Sequence, residues 1–195
     1  MAEEVFEASD VAIFLEENEL REVEMVPKRM LGTAMASFFM PSRTSRKAMD
    51  RKMVDKIERG MINAKSKTPG DERSVLHLFA EFGYSRCIFV LVRKLRVEVE
   101  ETDAEGRTGL HFAAAAGRGG SSVRMLLDLG ANINARDRSG MTPLHLAAMG
   151  GGGAVTELLL AGADPHAADK RGYSPLRYAK HSKHVLSLFD DFIEL

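Results

Sequence analysis

A leucine returns along this chain at a nearly constant interval, which restricts the folds that the chain can adopt. It lies at positions 76, 110, 144 and 176, which are separated by 34, 34 and 32 residues. Neighbouring residues return with it: the segments 106–114, 140–148 and 172–179 all begin with glycine, and an aspartate precedes each of the last three leucines by seven residues. Several offsets that recur together indicate a repeat protein, whose units stack because no single unit buries its apolar face alone.

Each copy encodes two short helices and a tight turn. Thr142 followed by Pro143 is typical of a helix N-cap and the first helical residue. Residues 155–159 are apolar at spacings of three and four, which predicts a second helix with one apolar face. Gly162 then permits the left-handed conformation that ends many helices. The Asp-x-x-Gly stretches, such as 137–140, predict the turns that join one unit to the next.

Residues 141–148 (Met-Thr-Pro-Leu-His-Leu-Ala-Ala) resemble the T-P-L-H-x-A signature of the ankyrin repeat, a family whose period is about 33 residues. The resemblance covers residues 71–195 and implies a mainly α fold, a solenoid of stacked helix-turn-helix units joined by short β-hairpin loops. We expect about three clear repeats between two degenerate caps, with these boundaries: N-terminal cap 44–70, repeats 71–103, 104–137 and 138–170, and C-terminal cap 171–195. The first repeat lacks the Thr-Pro pair and the glycine that ends the second helix, so we expect it to be less regular.

The first 43 residues form an acidic extension ahead of the repeats. Residues 1–24 hold nine acidic residues and one arginine, whereas residues 28–67 hold eleven basic and three acidic residues. Three interpretations of these oppositely charged blocks are open: they form two solvated faces, they attract each other within the chain, or each binds a separate partner. We expect residues 1–43 to be partly helical or disordered.

No catalytic, phosphate-binding or metal-binding motif occurs in the sequence. The glycine runs at 117–120 and 150–153 lack the Gly-Lys-Ser/Thr ending of a phosphate-binding loop, and we expect mobile turns there. His181 and His184 have the i, i+3 spacing of a metal pair, but no third ligand lies nearby in the sequence. We therefore predict a protein that is not an enzyme and that binds no cofactor and no metal.

Three further histidines recur with the repeat, at positions 77, 111 and 145. Each belongs to a different unit at the same structural position, so a shared metal site is not expected. In ankyrin repeats this histidine is understood to form hydrogen bonds within and between hairpin loops, and the resemblance implies that role here.

Composition indicates the compartment and argues against two classes of partner. The net charge is −1, and no apolar stretch reaches the ~20 residues of a membrane helix. The single cysteine, Cys87, lies in an apolar run and cannot form an internal disulfide, which fits a core position in a reducing compartment. We predict an intracellular protein, cytoplasmic or nuclear, that is a monomer by itself and binds neither nucleic acid nor membranes.

The resemblance implies a concave surface built from the hairpin tips and the first helices, where packing leaves the side chains free to vary. The first tip is acidic, whereas the second and third are basic. Aromatic and arginine side chains are typical anchors of protein interfaces. On this basis we predict seven partner-binding residues: Arg107, Arg138, Met141, Met149, Lys170, Arg171 and Tyr173.

These residues predict an interaction module, an adaptor or scaffold that binds another protein. The basic tips favour a partner with an acidic segment lying across tips two and three, because complementary charges orient the encounter. The competing interpretation is that these are ordinary solvated tips. The alternative function is a regulatory or inhibitory subunit that masks a partner enzyme or transcription factor, with residues 1–43 contributing to the contact.

Overall fold

The computed structural model describes residues 7–9, 11–12, 43–117, 120–180 and 182–193. Within these ranges the regular secondary structure is helical and includes no β-sheet. The hairpin loops contain two isolated antiparallel bridges, Lys67–Ser74 and Thr102–Thr108. The helices, in chain order, are α1 (Arg43–Glu58), α2 (Val75–Phe82), α3 (Ser85–Arg93), α4 (Gly109–Ala115), α5 (Ser121–Asp128), α6 (Pro143–Met149), α7 (Val155–Leu160), α8 (Pro175–Ala179) and α9 (Lys183–Ile193).

The helices pack in two layers. In the first layer α2, α4, α6 and α8 lie side by side, each in contact with the next. In the second layer α1, α3, α5, α7 and α9 follow one another in the same way. Each repeat therefore contributes one helix to each layer, and the predicted mainly α solenoid of stacked helix-turn-helix units is confirmed.

The repeated leucines lie between the layers. Leu76, Leu110 and Leu144 are almost completely buried, at equivalent positions of α2, α4 and α6. Leu176 in α8 is only half-buried. α8 is the last first-layer helix of the described chain and contacts α6 in that layer.

The first-layer helices begin at a repeated cap. Thr108 and Thr142 lie in extended backbone conformation immediately before α4 and α6. Their backbone N–H groups donate to Nδ1 of His111 and His145, three residues along the chain, at 3.1 and 3.0 Å. The caps satisfy polar groups that the first turn of a helix leaves unpaired.

The same histidines join successive repeats through their other ring nitrogen. Because a backbone N–H can only donate, Nδ1 accepts, and the network places the proton of the neutral ring on Nε2. Nε2 donates at 3.0 to 3.1 Å to backbone carbonyl oxygens of the following hairpin, in these pairs: His77 to Glu101 and Arg107, His111 to Met141, and His145 to Tyr173. The hydrogen-bonding role implied for the histidines is confirmed.

The segment before the first repeat joins the stack through a buried carboxylate. Asp50 of α1 accepts the backbone N–H groups of Arg86 and Cys87, in the first turn of α3, at 3.2 and 3.1 Å. It thus caps α3 from a neighbouring helix. Cys87 is fully buried beside it, and burial raises the pKa of its thiol, so this cysteine is the core residue that the sequence predicted.

The described part of the extension packs on the stack. Ala8 and Val11 are buried in the core, and the backbone N–H of Ala8 donates to Ser66 Oγ at 2.7 Å. Nδ2 of Asn63 donates to the Glu7 carboxylate at 3.0 to 3.1 Å. Residues 7–9 and 11–12 therefore contact the stack, although they precede the proposed domain boundary at residue 43. The other predictions for residues 1–43 lie outside the described residues, as does the proposed pairing of His181.

The expected irregularity of the first repeat does not extend to its backbone at two positions where it lacks a glycine of its neighbours. Glu72 and Arg96 have positive φ angles of 54° and 57°, in a region that favours glycine. They lie 34 residues before Gly106 and Gly130, which have φ angles of 75° and 92°. The repeat thus keeps the backbone conformation of its neighbours at two positions where it lacks their glycine.

Replacing Arg96 with glycine is expected to raise the free energy of unfolding by about 0.5–1 kcal/mol. The left-handed conformation costs a residue with a Cβ atom roughly 1–2 kcal/mol, and the greater freedom of glycine in the unfolded chain offsets part of the gain. Denaturant unfolding measures the difference. Arg96→Ala is the control, because it removes the same charge but keeps Cβ. An equal gain in both variants would assign the effect to charge and contradict the backbone explanation.

Candidate functional site

An aspartate holds each of the three hairpin tips, which are tip one (103–107), tip two (137–141) and tip three (169–173). Oδ1 of Asp137 accepts the backbone N–H groups of Ser139 and Met141 at 2.8 and 2.9 Å. Asp103 and Asp169 make the same pair of bonds at tips one and three. The tip loops are therefore fixed by their own side chains before any partner binds.

Hydrogen bonds lower the pKa of the aspartates in tips one and three, Asp103 and Asp169. Burial by itself raises the pKa of Asp169, but bonds from the Tyr173 backbone N–H and the Tyr178 hydroxyl outweigh it and hold that pKa below its usual range. The pKa of Asp103 is lowered in the same way, against burial, by bonds from Arg107. These carboxylates are occupied in shaping the loops.

Backbone hydrogen bonds also hold neighbouring tips side by side. The N–H of Arg138 in tip two donates to the carbonyl oxygen of Glu105 in tip one at 2.9 Å. The N–H of Lys170 in tip three donates to the carbonyl oxygen of Ser139 in tip two at 3.0 Å. The three tips form one continuous edge, from which the side chains between each Asp and Gly project.

The exposed side chains of tips two and three are cationic and unpaired. Arg138, Lys170 and Arg171 are exposed, and among the described residues no carboxylate lies within ion-pair distance of them. Arg136 lies beside them but bridges the two repeats, because its Nη1 donates to the carbonyl oxygens of Gly140 and Ala168 at 3.0 and 2.7 Å.

An aromatic and arginine cluster adjoins tip three. Tyr173 is half-buried, and the guanidinium of Arg177 lies 3.9 Å from the centroid of its ring. The Tyr178 ring meets Tyr173 edge-on at 6.1 Å, while its hydroxyl donates to Asp169 at 2.7 Å. Together with the cations these residues define the tip surface: Arg138, Lys170, Arg171, Tyr173 and Arg177.

The structure brings together four of the seven predicted residues in this surface. Met141 is half-buried in tip two, where its carbonyl oxygen accepts a hydrogen bond from Nε2 of His111. Met149 is 57% exposed, but it lies at the far end of α6 from tip two. Arg107 is engaged at tip one: its Nη2 lies 2.6 Å from Asp103 Oδ2 and its guanidinium 4.7 Å from the Phe112 ring centroid.

Two residues of the site were not among those predicted, Arg177 and Tyr178. Arg177 stands at the position of the repeat histidine, so the exchange of histidine for arginine in the last unit was a visible signal. The contact of Tyr178 with Asp169 depends on how α8 packs against tip three, and no local sequence motif indicates that packing.

Two further features are absent from the part of the chain that the structure describes, a metal-binding cluster and a membrane-spanning helix. No group of three or more histidine, cysteine, aspartate or glutamate side chains is placed to hold a metal ion there. Across the same ranges, no helix combines the length and apolar character needed to cross a bilayer.

Two family models match the chain, and both describe ankyrin repeats. The first, described as three copies of the repeat, matches residues 47–137. The second, described as many copies, matches residues 126–179. Together they run from residue 47 to residue 179 and include all three tips.

Curated proteins show the same similarity over part of their length. E3 ubiquitin-protein ligase KEG of Arabidopsis thaliana is 34% identical over 118 residues, which are 59% of this chain and 7% of that protein. Rabankyrin-5 of Homo sapiens is 38% identical over 84 residues, 42% of this chain and 7% of that protein. A putative ankyrin repeat protein of Rickettsia bellii is 38% identical over 101 residues, 51% of this chain and 53% of that protein. The chain thus spans less than a tenth of the first two relatives and about half of the third.

Proposed function

Because the chain belongs to the ankyrin-repeat family, whose repeats are generally protein–protein interaction modules and typically not catalytic, we propose that it is an adaptor that binds an acidic segment of a partner protein. The segment lies across tips two and three and places carboxylates against Arg138, Lys170 and Arg171. The observation that supports this most is the absence of ion-pair partners for these three exposed cations among the described residues.

The stiffness of the tips supports the same function. Loops that are already held by Asp137, Asp169 and the bonds between tips lose little conformational entropy when a partner binds. Tyr173, with Arg177 over its ring, adds the type of aromatic and arginine anchor that contributes most to interface affinity. Charge then steers and orients the partner, and the anchor stabilises the complex.

Reversing two charges on the tip surface is expected to weaken binding of an acidic partner by about tenfold or more, which corresponds to about 1.4 kcal/mol. The test selects displayed random 12-residue peptides on the immobilised full chain, and then measures their affinities for Arg138→Glu/Arg171→Glu. We expect the enriched peptides to be rich in aspartate and glutamate.

The matched control is Lys52→Glu/Lys65→Glu, which makes the same change of net charge at exposed positions away from the tips. It should bind the selected peptides as the unaltered chain does. Equal affinities for both double variants, or enrichment of peptides without acidic residues, would exclude an acidic segment on this surface.

We also propose that the protein acts as an intracellular monomer, in the cytoplasm or the nucleus, in line with its single buried thiol. The same surface serves a regulatory or inhibitory subunit if the acidic segment belongs to an enzyme or a transcription factor. In that alternative the described residues Ala8 and Val11 do not reach the partner, because they are buried in the core of this chain.

A further inference from the structure

A groove of about 380 Å³ crosses the second helix layer. Its walls come from three successive helices of that layer, so it runs across the repeats and belongs to none of the tips. The residues that line this second-layer groove are Arg51 and Val54 of α1, Arg86, Phe89 and Val90 of α3, and Met125 of α5.

The groove exposes an apolar side chain that the fold leaves uncovered. Phe89 is 43% exposed, whereas Phe79, Phe82 and Phe112 are buried. Val54 and Met125 are half-buried around it. An exposed aromatic ring in a concave apolar setting is typical of an anchor pocket for a partner side chain.

Positive charge flanks this apolar floor. Arg51 and Arg86 are exposed, and neither forms an ion pair with a described carboxylate. The acidic residues of α1 are engaged elsewhere: Asp50 accepts two backbone N–H groups, Asp55 pairs with Arg59, and Glu58 pairs with Lys94. The positive rim of the groove therefore has no ion-pair partner among the described residues, and its charge is complementary to that of an acidic ligand.

The architecture around the groove favours a helical ligand. Its walls are helices whose backbone groups are already hydrogen-bonded, so they offer no strand edge to which an extended peptide could add. Side-chain ridges on helices instead accept the ridges of another helix. An amphipathic helix laid in such a groove buries its apolar face, while its flanking residues reach the rims.

We propose that the second-layer groove is a docking surface for an acidic amphipathic helix of a partner protein. The helix places an apolar side chain against Phe89, and carboxylates on either side pair with Arg51 and Arg86. This surface is separate from the tip surface and does not depend on the function proposed for it. Two surfaces on different faces allow an adaptor to hold two partners at once.

The test uses a labelled 16-residue helical peptide with leucines along one face and glutamates flanking them, titrated against the full chain by fluorescence anisotropy. Saturable binding is expected, and it should weaken at least about tenfold in Arg51→Glu/Arg86→Glu and in Phe89→Ser. A peptide with lysines in place of the glutamates should not bind. Circular dichroism checks that each variant remains folded, which the exposure of all three side chains favours.

Two further variants decide where the peptide binds and what occupies the groove. In Arg138→Glu/Arg171→Glu, where the tip surface no longer competes for acidic peptides, the binding that depends on Phe89 should persist with the same affinity, so the two surfaces can fail independently. A variant with glutamine in place of the five glutamates of residues 16–24 should bind the helical peptide with unchanged affinity. An affinity higher by about tenfold or more would mean that the acidic extension of this chain occupies the groove, and would overturn the proposal of a separate partner. The proposal also fails if the peptide does not bind saturably, if the lysine peptide binds equally well, or if only the tip variant loses affinity.

Discussion

Replacing Gly150 with alanine is expected to lower the free energy of unfolding by about 2 kcal/mol, although alanine is otherwise the better helix former. A Cβ atom at Gly150 would lie 2.4 Å from the carbonyl oxygen of Ala115. That oxygen belongs to the backbone of the preceding repeat, so the contact is relieved only if two repeats separate. Because the φ angle of Gly150 is −82°, the penalty comes from the close approach and not from its backbone conformation.

Gly153 tests the same junction independently. A Cβ atom there would lie 2.4 Å from the carbonyl oxygen of Gly117, so Gly153→Ala should destabilise the stack by a similar amount. Gly120→Ala is the matched control. Its Cβ would meet side-chain atoms of Glu157, from Cγ to Oε1, and no backbone; the Glu157 side chain can move by rotation about its χ angles, and the φ angle of Gly120 is also negative. Chemical denaturation of the three variants should rank Gly120→Ala as the mildest; equal effects would show that the turns do not pack as described.

The protein is expected to lose stability between pH 7 and pH 5.5, by up to about 3 kcal/mol if all three repeat histidines stay neutral in the folded state. His77, His111 and His145 are fully buried, and burial lowers the pKa of each below the ordinary histidine value. The folded state therefore binds fewer protons than the unfolded chain as the pH falls below about 6.5. Each histidine that stays neutral in the folded state lowers the free energy of unfolding by up to about 1.4 kcal/mol for each pH unit below about 6.5.

The hydrogen bonds of the three histidine rings also oppose their protonation. Nδ1 of each ring accepts a backbone N–H, from Ser74, Thr108 or Thr142, and a second proton on the ring would face that donor. The carboxylates contribute in a different window. The lowered pKa values of Asp103 and Asp169 mean that their stabilisation is present above about pH 4 and is lost only below it.

Urea unfolding across this pH range measures the effect. His145→Gln should be less stable at pH 7, because it loses the bond to Tyr173, but its stability should fall less steeply toward pH 5.5, by about one third. A wild-type stability that is the same at pH 7 and pH 5.5 would contradict the assignment of neutral, buried histidines.

The sequence predicted the stack because its signals are local and repeated. Thr142, Pro143 and His145 form a cap within a single turn, and the interval between leucines determines which helices become neighbours. The roles of the glycines were less accessible. The run at 150–153 suggested a mobile turn, whereas the structure places two of its glycines where the backbone of the previous repeat leaves no room for Cβ. That contact joins residues more than 30 positions apart, and only the assembled stack reveals it.

The candidate site was predictable in outline for a similar reason. The basic character of tips two and three follows from residue identity, so the sequence alone singles out Arg138, Lys170 and Arg171, whose role in binding stays a prediction. The pairing of Arg107 with Asp103 and Phe112 depends on side-chain geometry within tip one, and it separates that arginine from the unpaired cations. The second-layer groove is formed by three helices from different units, and no local motif indicates it.

Nuclear magnetic resonance on the ¹⁵N-labelled full chain locates the acidic peptide when it is bound. The largest changes in amide chemical shift are expected within residues 137–141 and 169–177, and they should disappear in Arg138→Glu/Arg171→Glu. Changes confined to the second helix layer or to the loop at residues 63–66, with the tips unaffected, would contradict binding at the tip surface.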